Sequence, residues 1–183
     1  MIERINKEVA VMTDILNRLL MISRIESGNI EFVTEIVNVN DFLSELKSDL
    51  YDPYTDNRTL VFEPNPEIGD VIFDKKLMRL AIVNLINNAF KYSAGKQPPE
   101  LKIYLDGTSL VFQIRDFGIG IPAADNAKLF QTFNRASNVG VIQGTGIGLV
   151  VVDYAIKKHY GKVWFESEIN KGTTFFISLP QIN

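Results

Sequence analysis

Asp116-Phe117-Gly118-Ile119-Gly120 and, further along, Gly144-Thr145-Gly146-Ile147-Gly148 decide how this chain is read, because both follow a helical stretch carrying Asn84, Asn88 and Lys91. A single Asp-x-Gly-x-Gly is a weak signal, since glycine marks turns of every kind. Three elements in this order, with an aromatic-rich stretch between the glycine segments, read together as a nucleotide site. Asp116 ends a run, Leu-Val-Phe-Gln-Ile-Arg, that is otherwise suited to burial in a strand. A carboxylate there must be paired or solvated. The glycines after it remove side chains, so a flat ring can approach the backbone while Asp116 accepts a hydrogen bond from an exocyclic amine such as adenine's. Taken alone, the segment also fits a strand-end turn with an aspartate cap.

The second glycine segment precedes a helix expected from Gly148 to His159. Its backbone N–H groups and the positive helix end suit phosphates, although a flexible loop before a helix has the same appearance. No G-x-x-x-x-G-K-[ST] occurs, and the glycine spacing is not the dinucleotide fingerprint, so those two common nucleotide folds are disfavoured. Asn84, Asn88 and Lys91 fall at i, i+4 and i+7 and share one helix face. Amide oxygens suit Mg²⁺, which prefers hard oxygen donors and keeps several waters, and Lys91 can meet a phosphate as a point charge. The alternative is a solvated face, but asparagines in mid-helix are poor helix formers and call for a compensating role.

Around these segments the hydrophobic pattern outlines a mixed α and β domain. Val33 to Val39 reads as a strand, Asn40 as the cap of a helix from Asp41 to about Tyr51, and Asp52-Pro53 as its end. Short strands are expected at Thr59 to Glu63 and Asp70 to Phe73, then the longest helix of the domain from Lys75 to Tyr92. Leu101, Ile103 and Leu105 alternate with polar residues, Asp106-Gly107 turns, and Leu110, Phe112 and Ile114 continue the alternation, giving a hairpin with one buried face. Gly161 is expected to stop the late helix, and Val163 to Ser167 with Thr173 to Leu179 complete the strands. The fold class is α+β: a two-layer sandwich with helices on one face of a single mixed, largely antiparallel sheet.

Composition narrows the function classes. With 183 residues, 46% of them hydrophobic, the chain can bury one sizeable core and a short appended element. Zero cysteines exclude disulfides and thiolate metal sites, and the lone His159 leaves no cluster for structural zinc. A net charge of -3 argues against a nonspecific nucleic-acid binder, which needs a basic footprint. No apolar run reaches the roughly 18–20 residues that span a bilayer, and residues 1–20 lack a signal-peptide pattern. Direct membrane contact is therefore not expected.

The first residues follow a different rule. Ile2, Ile5, Val9, Met12, Leu16 and Leu19 recur at spacings of three and four, with charged or polar residues between them. That is a heptad seam, read as one long helix cut from a helical bundle or dimer, with Gly28-Asn29 as its stop; a helix packed on its own domain is the alternative.

Taken together, Asn84-Leu-Ile-Asn-Asn88-Ala-Phe-Lys91-Tyr92, the Asp-x-Gly-x-Gly, Leu129-Phe130-Gln-Thr-Phe133-Asn-Arg135 and Gly-Thr-Gly-Ile-Gly-Leu resemble the N, G1, F and G2 boxes of sensor histidine kinases. These belong to a superfamily shared with DNA gyrase, heat-shock chaperone and mismatch-repair ATPases. The likeness covers residues 34–183, including Gly161-Lys-Val-Trp-Phe-Glu-Ser and Gly172-Thr-Thr-Phe-Phe-Ile-Ser-Leu-Pro. It implies a Bergerat-type ATP-binding fold, with ATP and Mg²⁺ as cofactors. It further implies Asn88 as the Mg²⁺ ligand and Asn84, Lys91 and Arg135 as the catalytic, phosphate-side group. Asp116 would read adenine, flanked by Tyr92, Gly118, Gly120 and Ile121; Phe130 would anchor a lid running to Thr145; and Gly144, Thr145, Gly146, Gly148 and Leu149 would border the nucleotide. Phe133 would help Phe130 hold the lid, or both would be ordinary core aromatics.

Hydrolysing members of that superfamily resemble one another in placing a glutamate four residues before the metal-binding asparagine, where it activates water. Here that place is Asn84, and an amide takes no proton near neutral pH. The resemblance therefore implies phosphotransfer to a protein histidine. Residues 1–30 look like the second helix of a dimerisation and phosphoacceptor hairpin whose acceptor helix lies in a longer parent. His159 does not fit as acceptor, because it stands at a helix end before Gly161. Implied partners are the parent's acceptor helix, a response-regulator receiver domain and a second copy joined through the first helix, in the cytoplasm, with any inner-membrane anchor elsewhere in the parent. A noncatalytic ATP-binding regulatory or scaffold module is the competing class.

Overall fold

The computed structural model describes residues 13, 16, 20, 21, 23–25, 27, 28, 30–49, 57–62, 64–140, 142 and 144–181, with the backbone alone at 47–49. Among the described residues from 30 onward, seven strands and three helices organise the domain: β1 Glu35–Asn38, α1 Val39–Asp49, β2 Val61–Phe62, β3 Asp70–Phe73, α2 Lys75–Tyr92, β4 Glu100–Asp106, β5 Ser109–Arg115, α3 Gly148–Lys158, β6 Lys162–Glu168 and β7 Gly172–Pro180. Between β5 and α3 lie two short 3₁₀ turns, Ala123–Lys128 and Ser137–Val139.

Period-two patterning places one apolar face of the main sheet inward. Strand order is β2-β4-β5-β7-β6, with β2 parallel to β4 and every other pair antiparallel. Register lines Ile103, Phe112, Ile177 and Val163 into one row and Leu101, Ile114, Phe175 and Phe165 into the next. Onto these rows pack α2, which buries Leu77, Met78, Ala81, Ile82, Leu85, Ile86, Ala89 and Phe90, and α3, which buries Val151, Val152, Ala155 and Ile156. Burying such side chains stabilises each by about 1.5–3 kcal/mol, so this two-layer contact dominates the domain's hydrophobic stabilisation.

The expected single sheet is in fact two. β1 and β3 pair only with each other, as an antiparallel ribbon from Glu35–Phe73 to Asn38–Asp70, and α1 covers it through Phe42 against Phe73. Alternation says which residues face a core, not which sheet they join. The cap of α1 also differs from expectation. Asn38 Oδ1 accepts from the Asp41 N–H, while the Asn40 amide is spent on the Asn65 and Ile68 carbonyls. At the end of α3 the left-handed residue is Tyr160, at φ 55°, and not Gly161. Gly161 instead donates to the Ile156 carbonyl and passes so close to β7 that a Cβ would stand 2.5 Å from Ser178 O.

Of the heptad seam, Ile2, Ile5, Val9, Met12 and Leu19 lie outside the described residues. Residues 13, 16, 20, 21 and 23–25 are helical; Leu16 is exposed, whereas Met21 and Ile25, like Leu80, pack against the buried pair Ile147 and Val151. No helix among the described residues is long and apolar enough to cross a membrane.

Candidate nucleotide site

A cavity of about 310 Å³ opens between α2, the loop after β5 and the segment before α3. Asn84, Asn88, Lys91, Tyr92, Asp116, Gly120, Ile121, Arg135, Gly144, Thr145, Gly146, Gly148 and Leu149 all line it. Of the residues that the resemblance implied for the site and its lid, Gly118, Phe130 and Phe133 do not.

One end of the cavity, where the sequence reading expects a base, is set by the end of β5. Asp116 is 6% exposed, and its Oδ1 accepts from the Gly118 N–H at 2.8 Å and the Thr173 N–H at 3.3 Å. Burial raises its carboxyl from the ordinary 3.8 to about 6, and those two backbone hydrogen bonds pull the other way without compensating. Gly118 acts behind the cavity. A Cβ there would lie 2.2 Å from Tyr92 O, and the next amide, Ile119, donates to that same carbonyl. The glycine lets the base loop run directly beneath the end of α2. Gly172 has the same task on the other side, where a Cβ would stand 2.0 Å from Asp116 O.

Sequence reading missed Thr173. Its backbone exchanges hydrogen bonds with Asp116, its hydroxyl lies 2.9 Å from that of Ser167, and Ser167 Oγ accepts from the Ile121 N–H. A Gly-Thr at the start of a strand carries no local sign of this; only the β5–β7 register, Arg115 against Thr174, brings it beside Asp116. Ile119, Leu129, Ala136, Val139 and Phe175 add apolar walls.

The other end, where the sequence reading expects phosphates, is built on α2. Asp74 caps that helix by accepting from the Leu77 N–H, and the i, i+4, i+7 spacing brings Asn84, Asn88 and Lys91 to the cavity as expected. Asn84 Nδ2 donates to Leu80 O at 2.8 Å. Lys91 Nζ and Arg135 converge on Gly144: a Cβ there would lie 2.7 Å from Nζ and 3.8 Å from Arg135 Nε. Arg135 also donates to the Ile142 carbonyl. Two cations thus share one end of the cavity, and the one carboxylate that lines it among the described residues, Asp116, lies at the opposite end.

For a metal, the donor set is amide-rich. Among the described residues no three His, Cys, Asp or Glu side chains gather to hold an ion. Asn84, Asn87 and Asn88 line the cavity side by side, and Asn87 Oδ1 is shielded from solvent without a hydrogen-bond donor. Such a set fits Mg²⁺ that keeps waters and takes its remaining ligands from a bound polyphosphate.

The stretch expected as a lid divides in two. Residues 136–139 dock on the base loop: Asp125 Oδ2 accepts from the Ser137 N–H and hydroxyl, and Asn138 Nδ2 donates to Gly120 O at 2.8 Å. Phe130 packs on Phe165 and the core, whereas Phe133 is 64% exposed at φ 63° and meets the second glycine segment through its backbone, against Gly146. His159 is buried. Nε2 accepts from the Asp74 N–H, tying α3 to the cap of α2, and Nδ1 lies 2.6 Å from Ala155 O within α3; burial lowers the ring's pKa, and both ring nitrogens are engaged.

Residues 73–183 match the family described as histidine kinase-, DNA gyrase B- and HSP90-like ATPase. The chain is 29% identical over 95% of its length to the sensor protein kinase WalK of Staphylococcus haemolyticus (strain JCSC1435), and 27% identical over 93% to the circadian input-output histidine kinase CikA of Synechococcus elongatus. It spans 29% and 23% of those two proteins. Among solved structures, the Acinetobacter baumannii histidine kinase AdeS superposes with a TM-score of 0.77 at 22% identity, covering 97% of this chain and 82% of that one. Full-length ShkA in complex with AMPPNP gives 0.75 at 23%, covering 94% and 36%. With the matched segment spanning most of the chain and including the cavity from Asn84 to Thr173, this protein belongs to the histidine kinase-, DNA gyrase B- and HSP90-like ATPase family.

Proposed function

We propose that residues 34–183 are the ATP-binding catalytic domain of a sensor histidine kinase and that residues 1–30 are the second helix of its dimerisation and phosphoacceptor hairpin. The parent would transfer the γ-phosphate of ATP, in the cytoplasm, to a histidine on the preceding helix for relay to an aspartate of a receiver domain. The observation that carries this reading is Asn84. It lines the cavity four residues before Asn88, on the face where a hydrolysing relative needs a base, and its amide cannot accept a proton near neutral pH. Water is left unactivated, and ATP is kept for a nucleophile delivered from outside the domain.

Each end of the cavity then has one task. Asp116, ionised, accepts a hydrogen bond from the adenine amine, and Tyr92 and Ile121 border the base. Lys91 and Arg135 lie where charge builds on the transferring phosphoryl group; fixed cations there stabilise the transition state without reorganising. Asn88, with Asn84 beside it, would hold Mg²⁺, which when bound neutralises and aligns the phosphate oxygens. The imidazole nitrogen bonds to γ-phosphorus as the bond to the bridging oxygen breaks, and ADP leaves. AMPPNP in the similarly folded ShkA supports a nucleotide of this class. The engagement of both His159 nitrogens supports an acceptor elsewhere.

Calorimetry with ATP and GTP, with and without Mg²⁺, tests the binding half; equal affinity for the two purines removes the adenine assignment. Labelled ATP tests the transfer half. The chain alone is expected to incorporate no acid-labile phosphate and to label a separately supplied acceptor domain of its parent. Steady-state turnover near 1 s⁻¹, the low end of ordinary enzymes, would revive the ATPase reading. Failure to label the acceptor domain despite confirmed ATP binding and assembly would favour a noncatalytic scaffold.

A further inference from the structure

Arg58 lies outside every glycine and asparagine segment, yet it holds the end of the helix that carries Lys91 and Tyr92. A helix leaves its last carbonyls without intrahelical partners, and buried ones must find donors. At the end of α2 most of these can be followed individually. Ala89 O accepts from the Ser93 hydroxyl at 2.6 Å, Phe90 O from Arg58 Nη2 at 2.8 Å, and Tyr92 O from the Ile119 N–H at 3.2 Å. Ser93, itself buried, offers its carbonyl and hydroxyl to Arg58 Nη1 at 2.8 and 3.0 Å; the same nitrogen reaches Gln97 O at 3.1 Å. The guanidinium carbon sits 5.3 Å from the centroid of the Phe90 ring.

We propose that Arg58 is a positioning residue for the nucleotide. By taking the Phe90 and Ser93 carbonyls it fixes the last turn of α2 and leaves the Tyr92 carbonyl to hold the base loop at Ile119. The spacing between the cation end and the Asp116 end of the cavity is then set by one guanidinium outside it. The contact is close enough for a small shift to matter, because Gly118 has no room for even a Cβ against Tyr92 O. Lysine does not substitute. It brings the same charge to the negative helix end, but a point donor cannot span Phe90, Ser93 and Gln97 together. The proposal rests on the ATP-binding reading above.

The test compares wild type, Arg58→Lys and Arg58→Ala by calorimetry with Mg-ATP and with adenosine, at a temperature where far-UV circular dichroism shows each folded. Amide exchange at Ile119 is followed in parallel. Arg58→Lys is expected to weaken ATP at least tenfold, to weaken adenosine less, and to speed exchange at Ile119. A purely architectural arginine would lower the melting temperature and leave both affinities and the Ile119 amide as they are, which overturns the proposal. Should Arg58→Ala fail to fold, Arg58→Lys decides alone; if that variant also fails to fold, the arginine holds the fold rather than the site, and the proposal is again overturned. Wild type that does not bind ATP removes the underlying reading, a result separate from any behaviour of the variants.

Discussion

The two ends of the cavity are made differently. At the base end Asp116 is buried, β7, the β6–β7 turn and the end of α2 bond to its loop, and Gly118 and Gly172 run against backbone closer than any side chain permits. At the other end Arg135, Gly140 and Gly144 are exposed, and the segment is held by side-chain contacts from Asp125 and Asn138. A site that reads a base gains from donors and acceptors fixed in advance. One that meets a triphosphate can carry a cation such as Arg135 on an exposed segment, with Lys91 fixed on α2, because the ligand brings the charge that orders it.

Glycine replacements break this contrast most sharply. Gly172→Ala, at φ 109° with Asp116 O 2.0 Å from the new Cβ, is expected to cost on the order of 4 kcal/mol or more, a large part of a typical domain's stability. Gly140→Ala, at φ 48° with nothing within 4 Å, should cost only the backbone strain, about 1–2 kcal/mol. Urea midpoints of the two variants measure both. Equal losses would mean the ends are alike.

The next effect runs in two directions. Burial holds the Asp116 carboxyl at about 6 against 3.8 when unfolded, so the stability linked to its protonated form is fully present below 3.8 and is lost as pH rises through about 6. Ionised at pH 7, the group destabilises the apo fold by roughly 3 kcal/mol, two pK units' worth. Asp116→Asn keeps an acceptor for Gly118 and Thr173, removes the buried charge, and should raise the melting temperature by several degrees. It also turns a donor toward the base. ATP affinity should fall about 100-fold, the size of one charge-assisted hydrogen bond. In wild type, adenosine affinity should fall tenfold per unit below pH 6, as measured by titration calorimetry. A flat profile with unchanged melting would mean that Asp116 is solvated and reads nothing.

Much of this was legible beforehand because it is local. The Lys75 to Tyr92 helix, the β4–β5 hairpin and the two glycine segments each announce themselves within 18 residues or fewer, and the spacing of Asn84, Asn88 and Lys91 already puts them on one face. What escaped depends on contacts distant in sequence. Thr173 joins Asp116 through strand register, Arg58 reaches α2 across more than thirty positions, and the β1–β3 ribbon has the same alternation as a strand of the main sheet. Two errors were local ambiguities. Asn38 and Asn40 both suit a cap, and tertiary demand from Asn65 and Ile68 claimed the second; Tyr160 took the left-handed turn because Gly161 was needed against β7.

The smallest expected effect concerns where order stops along the lid. Composition from Arg135 to Thr145 suggests uniform mobility, yet Ala136 is buried, Ser137 is tied to Asp125, and Asn138 is tied to Gly120. Without nucleotide, amides of Ser137 and Val139 should therefore exchange more slowly than those of Gly144 and Thr145, and Mg-ATP should slow the second pair far more than the first. Asn138→Ala removes one half-buried hydrogen bond, typically about 0.5–1.5 kcal/mol, so exchange at Ser137 and Val139 should quicken roughly two- to tenfold. Gly172-side amides such as Thr173 should not change. Asp125→Ala should act on the same two amides, since it removes the acceptor of the Ser137 N–H itself. If nucleotide slows the whole stretch equally and neither variant alters it, the docked turn belongs to the moving part, and the boundary between the prebuilt and the ligand-ordered end lies at Gly120 instead of Gly140.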